Sequence, residues 1–431
     1  MDTRAKRASL SDNHAVPDAG RRRVLVGVPA LAGALAASAP PAAAQSARPA
    51  PWYAAWGCAP AGPPPSGSLL TLNGQTLRLI VRTGIGAGRL RIRLSNEMGG
   101  TPLRIGAARI GLRAGAASVV AGTNRALGFG GRAAITIPAG APALSDPVEL
   151  SVGPFADLAV SLYLPGSAAL TTMHGAACQT SYVSTSGDHT ADTALPVQRT
   201  LGSWPLLAEV DADRFASVIV AVGDSMTDGV GSTSNANRRW PDWLARRFQA
   251  ELGAMGPFAV VNRGISGNRL LLDDGSMPLA GRDLLERFDR DVLATAGVRA
   301  LAVLIGTNDI LYSPASSPVR TEELATGYRQ LIERAHARSI AVMGGTLPPF
   351  GGHVYFNAAR EAARQAANAW VRSSGAFDLV ADYDLALRDP QAPERMRAAC
   401  DSGDHLHPGD AGYQAMAACV PLGQLATLAA S

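Results

Sequence analysis

Apolar residues alternate with arginines along TLRLIVRTGIGAGRLRIRLS, residues 76–95. Leu77, Leu79 and Val81 fall on one face with Arg78 and Arg82 opposite, and Leu90, Ile92 and Leu94 repeat the pattern against Arg89, Arg91 and Arg93. A period of two around a glycine-rich turn predicts a hairpin with one buried face. AAITIPAG, VELSV and LAVSLYLPG continue as short strands between turn breaks. Residues 71–213 are therefore expected to form an all-β, sandwich-like domain. Residues 45–70, rich in Pro, Gly, Ala and Ser, read as a linker and entry loop. Its Trp52 and Trp56 are expected in core or interdomain packing, with sugar stacking as the alternative.

The texture changes near Arg214. FASVIVAVGDS is a continuous apolar run, as a strand buried on both faces requires. RWPDWLARRFQAELGA then carries Trp240, Trp243, Leu244 and Phe248 at helical spacing. Strand and helix patterns alternate from there to a last helix, AGYQAMAACVPLGQLATLA. Repeated β–α units predict an α/β domain over residues 214–431, a doubly wound, flavodoxin-like parallel sheet. Ligands of such sheets bind outside the carboxyl ends of the strands.

The N-terminus changes the charge picture. Arg21-Arg22-Arg23 precedes the apolar run VLVGVPALAGALAASA and the small residues Ala42-Ala43-Ala44. Residues 1–44 read as a twin-arginine-like export signal, with an N-terminal membrane anchor as the alternative. This predicts a periplasmic or extracellular protein with no membrane span after signal removal. Beyond residue 44 lie 33 of the 39 basic and 32 of the 35 acidic residues, a net charge near +1. No basic patch argues for nucleic acid. The sole lysine is Lys6, so lysine Schiff-base and phosphate-loop chemistry is excluded from the body of the chain. Export permits disulfides, and the positions of Cys58, Cys178, Cys400 and Cys419 favour Cys58–Cys178 and Cys400–Cys419 over four free thiols. No cysteine–histidine cluster suggests a metal, and no cofactor motif is present.

Polar residues follow the apolar runs. Gly223-Asp224-Ser225 comes after the first, Asn262 to Gly267 after the second and Gly306-Thr307-Asn308-Asp309 after the third. Asp404-His405-Leu406-His407-Pro408 precedes the last helix. Together they supply a hydroxyl, a bare amide at a glycine, a side-chain amide and an Asp–His pair, the components of acyl transfer through a covalent intermediate. The strained-elbow pattern G-x-S-x-G is absent, because Thr227 stands where its second glycine would be.

These four blocks resemble the GDSL/SGNH hydrolase family: Ser225 in GDSMTDG, Gly267 in NRGISGN, Asn308 in IGTND and His407 in DHLHP, in the family's order over roughly residues 215–428. Met226 replaces the leucine of the first block. Residues 76–110 resemble, more loosely, the β-rich domain that precedes the hydrolase in a secreted bacterial subgroup. The resemblance implies a serine esterase or lipase in which Ser225 is the nucleophile, His407 the base and Asp404 its partner. Its oxyanion would sit among the amides of Ser225 and Gly267 and the Asn308 side chain. His405, Asp401 and Gly264 are the rivals of His407, Asp404 and Gly267. Asp224 and Asp309 read as loop braces, His336 as a solvated face residue, and His174 and His189 as structural or surface residues. His353 and Tyr355 are candidates for the pocket wall. A histidine base predicts activity that falls below about pH 6–7. The substrate classes left open are small acyl esters, lipids and acetylated polysaccharide. Acyl transfer to another alcohol, and an inactive carbohydrate-binding or cell-surface protein, are the alternatives. The sequence does not speak to the oligomeric state.

Overall fold

In the computed structural model, residues 51–253, 256–273 and 275–430 are described. The expected export signal lies outside them. Residues 50–431 cluster as one compact unit. Nine of the strands in its first part are β1 (Tyr53–Gly57), β2 (Thr71–Arg82), β3 (Ala87–Ser95), β4 (Ala107–Gly115), β5 (Val148–Val152), β6 (Asp157–Ala169), β7 (Ser181–Ser186), β8 (Val197–Leu201) and β9 (Leu207–Ala212). One antiparallel sheet runs β1-β9-β3-β5 and a second runs β8-β7-β2-β6-β4, with further short strands at their edges. Leu77, Leu79 and Val81 of β2 and Leu90, Ile92 and Leu94 of β3 are buried in a shared core, so the apolar face is as the alternation predicts.

Three expectations are corrected here. The hairpin does not form: β2 pairs with β6 and β7, β3 with β5 and β9. The glycine-rich turn carries the chain from one sheet to the other, a crossing that leaves the same alternation in the sequence. Arg78 does not face solvent. It is fully buried and donates to Ser161 Oγ at 2.8 Å and to the carbonyls of Ala117 and Asp192 at 2.6 and 2.8 Å. Ser161 stands opposite on the paired strand β6, and segments folded over the outside of β2 supply the carbonyls, acceptors that a buried guanidinium requires. The 45–70 stretch is not all linker, because β1 lies in it and pairs antiparallel with β9. Trp56 is buried edge-on against Trp204, while Trp52 lies half-buried beside Arg91.

The second part holds five parallel strands: β10 (Ser217–Gly223), β11 (Phe258–Gly264), β12 (Val298–Leu304), β13 (Ala341–Gly345) and β14 (Leu379–Ala381), ordered β11-β10-β12-β13-β14. Every residue of β10 is buried. The strand order reverses beside β10, which opens a crevice at the carboxyl ends there. Seven of the helices are α1 (Ser225–Asp228), α2 (Trp240–Leu252), α3 (Thr307–Leu311), α4 (Thr321–His336), α5 (Ala358–Ser373), α6 (Asp410–Cys419) and α7 (Leu422–Ala430). The expected last helix is thus two, broken at Pro421, which has no amide hydrogen to continue α6. No helix among the described residues is long and apolar enough to cross a membrane.

The two parts share buried polar contacts. Arg263 of β11 donates to the carbonyls of Cys58 and Ala208 and to the Glu209 carboxylate of β9. Arg263 is 2% and Glu209 0% exposed. A charge buried this deeply is tolerated only when paired and hydrogen-bonded. The favoured disulfides are absent: all four cysteines are free. Cys58, Cys178 and Cys419 each donate instead to a backbone carbonyl, of Leu207, Gly229 and Met416. Burial pushes the Cys58 and Cys419 thiols up to about 12, so they are protonated and unreactive.

Candidate active site

The strand-to-helix turn after β10 is built around two residues. A Cβ on Gly223 would come within 2.2 Å of the Leu304 carbonyl oxygen, so only glycine fits there. Asp224 caps α1, its carboxylate accepting from the Met226 amide at 3.0 Å. Ser225 opens α1 and Thr227 lies within it. Helical backbone at Thr227 explains why no glycine is needed two residues after the serine.

Ser225 is 7% exposed. Its hydroxyl lies 2.7 Å from His407 Nε2, and His407 Nδ1 lies 2.6 Å from Asp404 Oδ2. The Nδ1 hydrogen donates to the carboxylate, which leaves Nε2 to accept from the hydroxyl. Asp404 Oδ1 takes the amides of Leu406 and His407 at 2.9 and 2.8 Å. Burial alone would raise the Asp404 pKa, but these two amides and the imidazole hold it down to about 2. The rival pair points elsewhere: His405 Nδ1 bonds Asp401 at 2.6 Å and its side chain is half exposed.

The glycines separate as clearly. The Gly264 amide is taken by Asn262 Oδ1 at 2.9 Å, and a Cβ there would strike the Asp228 amide. Gly267 is the third residue of a turn closed by the Asn268 amide on the Ile265 carbonyl, and its φ is +82°. That position of a type II turn calls for glycine. Among the described residues, neither the Ser225 nor the Gly267 amide donates to a protein acceptor. Asn308, in α3, is 4% exposed and donates to the Asn268 carbonyl at 3.0 Å, which sets its carboxamide on the same turn. Asp309 accepts from the Leu270 and Leu271 amides at 2.8 and 3.0 Å, a brace for this loop, and burial pushes its pKa to about 6.

Residues 221–415 match the GDSL-like Lipase/Acylhydrolase family, from Ala221 in β10 to Ala415 in α6. This segment belongs to that family. Comparison with curated proteins yields no match. Similar solved structures include an α/β hydrolase from the metagenome of Lake Arreo, Spain, 23% identical, covering 50% of this chain and 97% of its own, with a TM-score of 0.36. A mutant acetyl-xylooligosaccharide esterase from Geobacillus Stearmophilus is 21% identical and covers 47% and 91%, with a TM-score of 0.36. A GDSL-like lipase from Bacteroides thetaiotaomicron is 17% identical and covers 49% and 89%, with a TM-score of 0.33. By the family of residues 221–415, the chain is an enzyme of the lipase and acylhydrolase class.

Beside Gly267 the GDSL-like segment and the β-rich part enclose a cavity of about 220 Å³, lined among others by Gly62, Met98, Arg269, Asp273 and Arg282. Tyr355 is edge-on to the His353 ring, and neither lines this cavity. Burial lowers the His353 pKa, against the pull of Asp404 and with the neighbouring His407 and His405. His336 is exposed and pairs with Asp378 at 2.8 Å, and His189 bonds Asp192. Among the described residues no cluster of metal-ligating side chains occurs.

Sequence reasoning gave no role to Arg287 and Asp228 and read His174 as a structural or surface residue; all three are buried around the turn. Arg287 donates to Asn268 Oδ1 at 3.0 Å and to the Gly223 and Arg263 carbonyls at 3.1 and 2.8 Å. Asp228 and His174 meet at 2.8 Å. Asp228 stood inside the GDSMTDG block, but nothing local signals the partner of either residue.

Proposed function

We propose that this chain is an exported serine esterase that hydrolyses carboxylic esters through an acyl-enzyme. Ser225 Oγ attacks the ester carbonyl while His407 Nε2 takes the hydroxyl proton. Asp404 holds the imidazole in the tautomer that can accept it and stabilises the imidazolium. The oxyanion is received by the amides of Ser225 and Gly267 and by Asn308 Nδ2. The intermediate collapses, the C–O bond to the alcohol breaks and His407 returns the proton to the leaving oxygen. Water then repeats the sequence on the acyl-enzyme, releasing the acid and restoring Ser225.

The observation that carries this reading is the unbroken run Asp404–His407–Ser225, with contacts of 2.6 and 2.7 Å, beside two amides that have no protein acceptor among the described residues. The cavity beside Gly267 supports a substrate class. It is small, and Arg269, Asp273 and Arg282 give it charged walls. Such a wall suits a short acyl ester of a hydroxyl-rich alcohol, as in acetylated polysaccharide, better than a long lipid chain. Export to the periplasm or beyond, proposed from the twin arginines and apolar run, would bring the enzyme to such polymers.

The test uses residues 45–431 and a Ser225→Ala partner on p-nitrophenyl esters from acetate to palmitate, with acetylated xylan alongside. Loss of nearly all activity in Ser225→Ala, with preference for acetate, is expected. Activity retained in Ser225→Ala would overturn the mechanism, and preference for palmitate would overturn the substrate class.

A further inference from the structure

His174 belongs to the β-rich part and is 3% exposed. Its Nδ1 faces the Ala59 carbonyl at 3.0 Å and its Nε2 faces Asp228 Oδ1 at 2.8 Å. A carbonyl only accepts, so Nδ1 must carry a hydrogen. The other nitrogen then shares a second proton with the carboxylate. Burial on its own would lower the His174 pKa, but Asp228 and the two hydrogen bonds outweigh it and the net direction is upward. The Trp204 ring lies 5.6 Å away, and Arg239, whose guanidinium lies over the same tryptophan, is the nearby opposing charge.

Asp228 is 2% exposed and fully engaged. Its second oxygen accepts from both the amide and the hydroxyl of Ser266, at 2.8 and 2.6 Å. Ser266 is the second residue of the Ile265–Asn268 turn, and Gly267 is the third. The peptide joining Ser266 to Gly267 is the central one of the turn, the unit whose rotation separates turn types. Anchoring Ser266 at two atoms therefore fixes where the Gly267 N–H points. Asp228 ends α1, which Ser225 begins, so the same carboxylate ties the turn to the nucleophile's own helix.

We infer that His174 is a positioning residue of the ester site: it orients Asp228, Asp228 holds Ser266, and Ser266 aims the Gly267 amide at the oxyanion. This rests on the esterase reading above. It gives the β-rich part a direct share in the reaction, since transition-state donors act only when aimed before charge develops.

The experiment compares His174→Leu, His174→Gln and Ser266→Ala with wild type on p-nitrophenyl acetate. Active sites are counted by labelling the serine with a p-nitrophenyl phosphonate, so that kcat is expressed per labelled site. Leucine keeps volume without a donor, and kcat per site should fall about 10- to 100-fold, a part of the effect of losing a whole oxyanion donor, with KM nearly unchanged. Glutamine retains a donor for Asp228 and should restore most of the loss. Ser266→Ala, which leaves the β-rich part intact, should lose several-fold and stands in if the leucine variant fails to fold. A merely structural role would lower the labelled fraction and Tm while kcat per site stayed at the wild-type value, and that result overturns the inference. Ser225→Ala runs in parallel. If it is inactive while the His174 and Ser266 variants keep full kcat, only this inference fails. If it stays active, the esterase reading fails with it.

Discussion

Replacing Asp404 by asparagine isolates what the carboxylate does. Oδ1 accepts two backbone amides, from Leu406 and His407. An asparagine must keep its oxygen there, because its NH2 would face two donors. The NH2 is thereby forced toward His407 Nδ1, where only an acceptor nitrogen can meet it. The imidazole hydrogen moves to Nε2, and the nitrogen facing Ser225 can no longer take a proton. The loop keeps its backbone contacts, so Tm should move little, and the exposed side of the carboxylate is screened in any case. Activity should drop by about 10⁴, the effect of the wrong tautomer in such triads, or about 5 kcal/mol of transition-state stabilisation. The assay is kcat/KM on p-nitrophenyl acetate at pH 8, with Ser225→Ala as the floor and a thermal melt as control. A variant within tenfold of wild type would refute the tautomer argument. The sign of the Asp404 shift bounds the pH profile. A carboxyl held down to about 2 stays ionised above its unfolded value near 4, and its contribution is lost only as pH falls toward 2. Activity lost between pH 5 and 7 must therefore come from a group other than Asp404.

Three further outcomes are expected. Burial first, then the charges of Asp309 and Asp228, push Asp224 up to about 7 against its bond from Met226. Its contribution to folding is present below about pH 4 and disappears as pH rises through 7, a change of about 4 kcal/mol. Tm of Asp224→Asn should exceed that of wild type at pH 8 and match it at pH 4, and a constant difference across that range would contradict the burial argument. Arg263→Ala strands the Glu209 carboxylate and two carbonyls, and urea melts should show a loss of about 3–5 kcal/mol; a loss under 1 kcal/mol would mean the pair contributes nothing. Alkylation in denaturant without reductant should modify all four cysteines, and protection of any pair would reinstate a disulfide.

The parallel sheet was legible because strands buried on both faces leave unbroken apolar runs, and the run ending at Gly223 is buried along its length. The choice of Asp404 and His407 over Asp401 and His405 came from the resemblance to the Asp-x-x-His-Pro block, because both pairs close over a short turn at 2.6 Å. The hairpin reading of residues 76–95 failed because alternation reports which face is buried and not which strand lies alongside. Arg78 misled for a related reason: its outer face is covered by segments distant in sequence. His174 had no local signal, since its acceptors come from Ala59 and Asp228, on either side of it along the chain.

The spacing of the buried pairs orders events during synthesis. The antiparallel sheets are complete once Ala212 has emerged, with β1 already paired to β9. Glu209 then waits 54 residues for Arg263, and His174 waits the same interval for Asp228. Once Ala212 is made, the His174 imidazole lacks Asp228 for about 16 further residues, and the Glu209 carboxylate lacks Arg263 for about 51, with only Arg93 of its own sheet 3.8 Å away. The β-rich part therefore reaches its final form only when the second parallel strand, with the Arg263 that Glu209 needs, has been made, and the two parts mature as one.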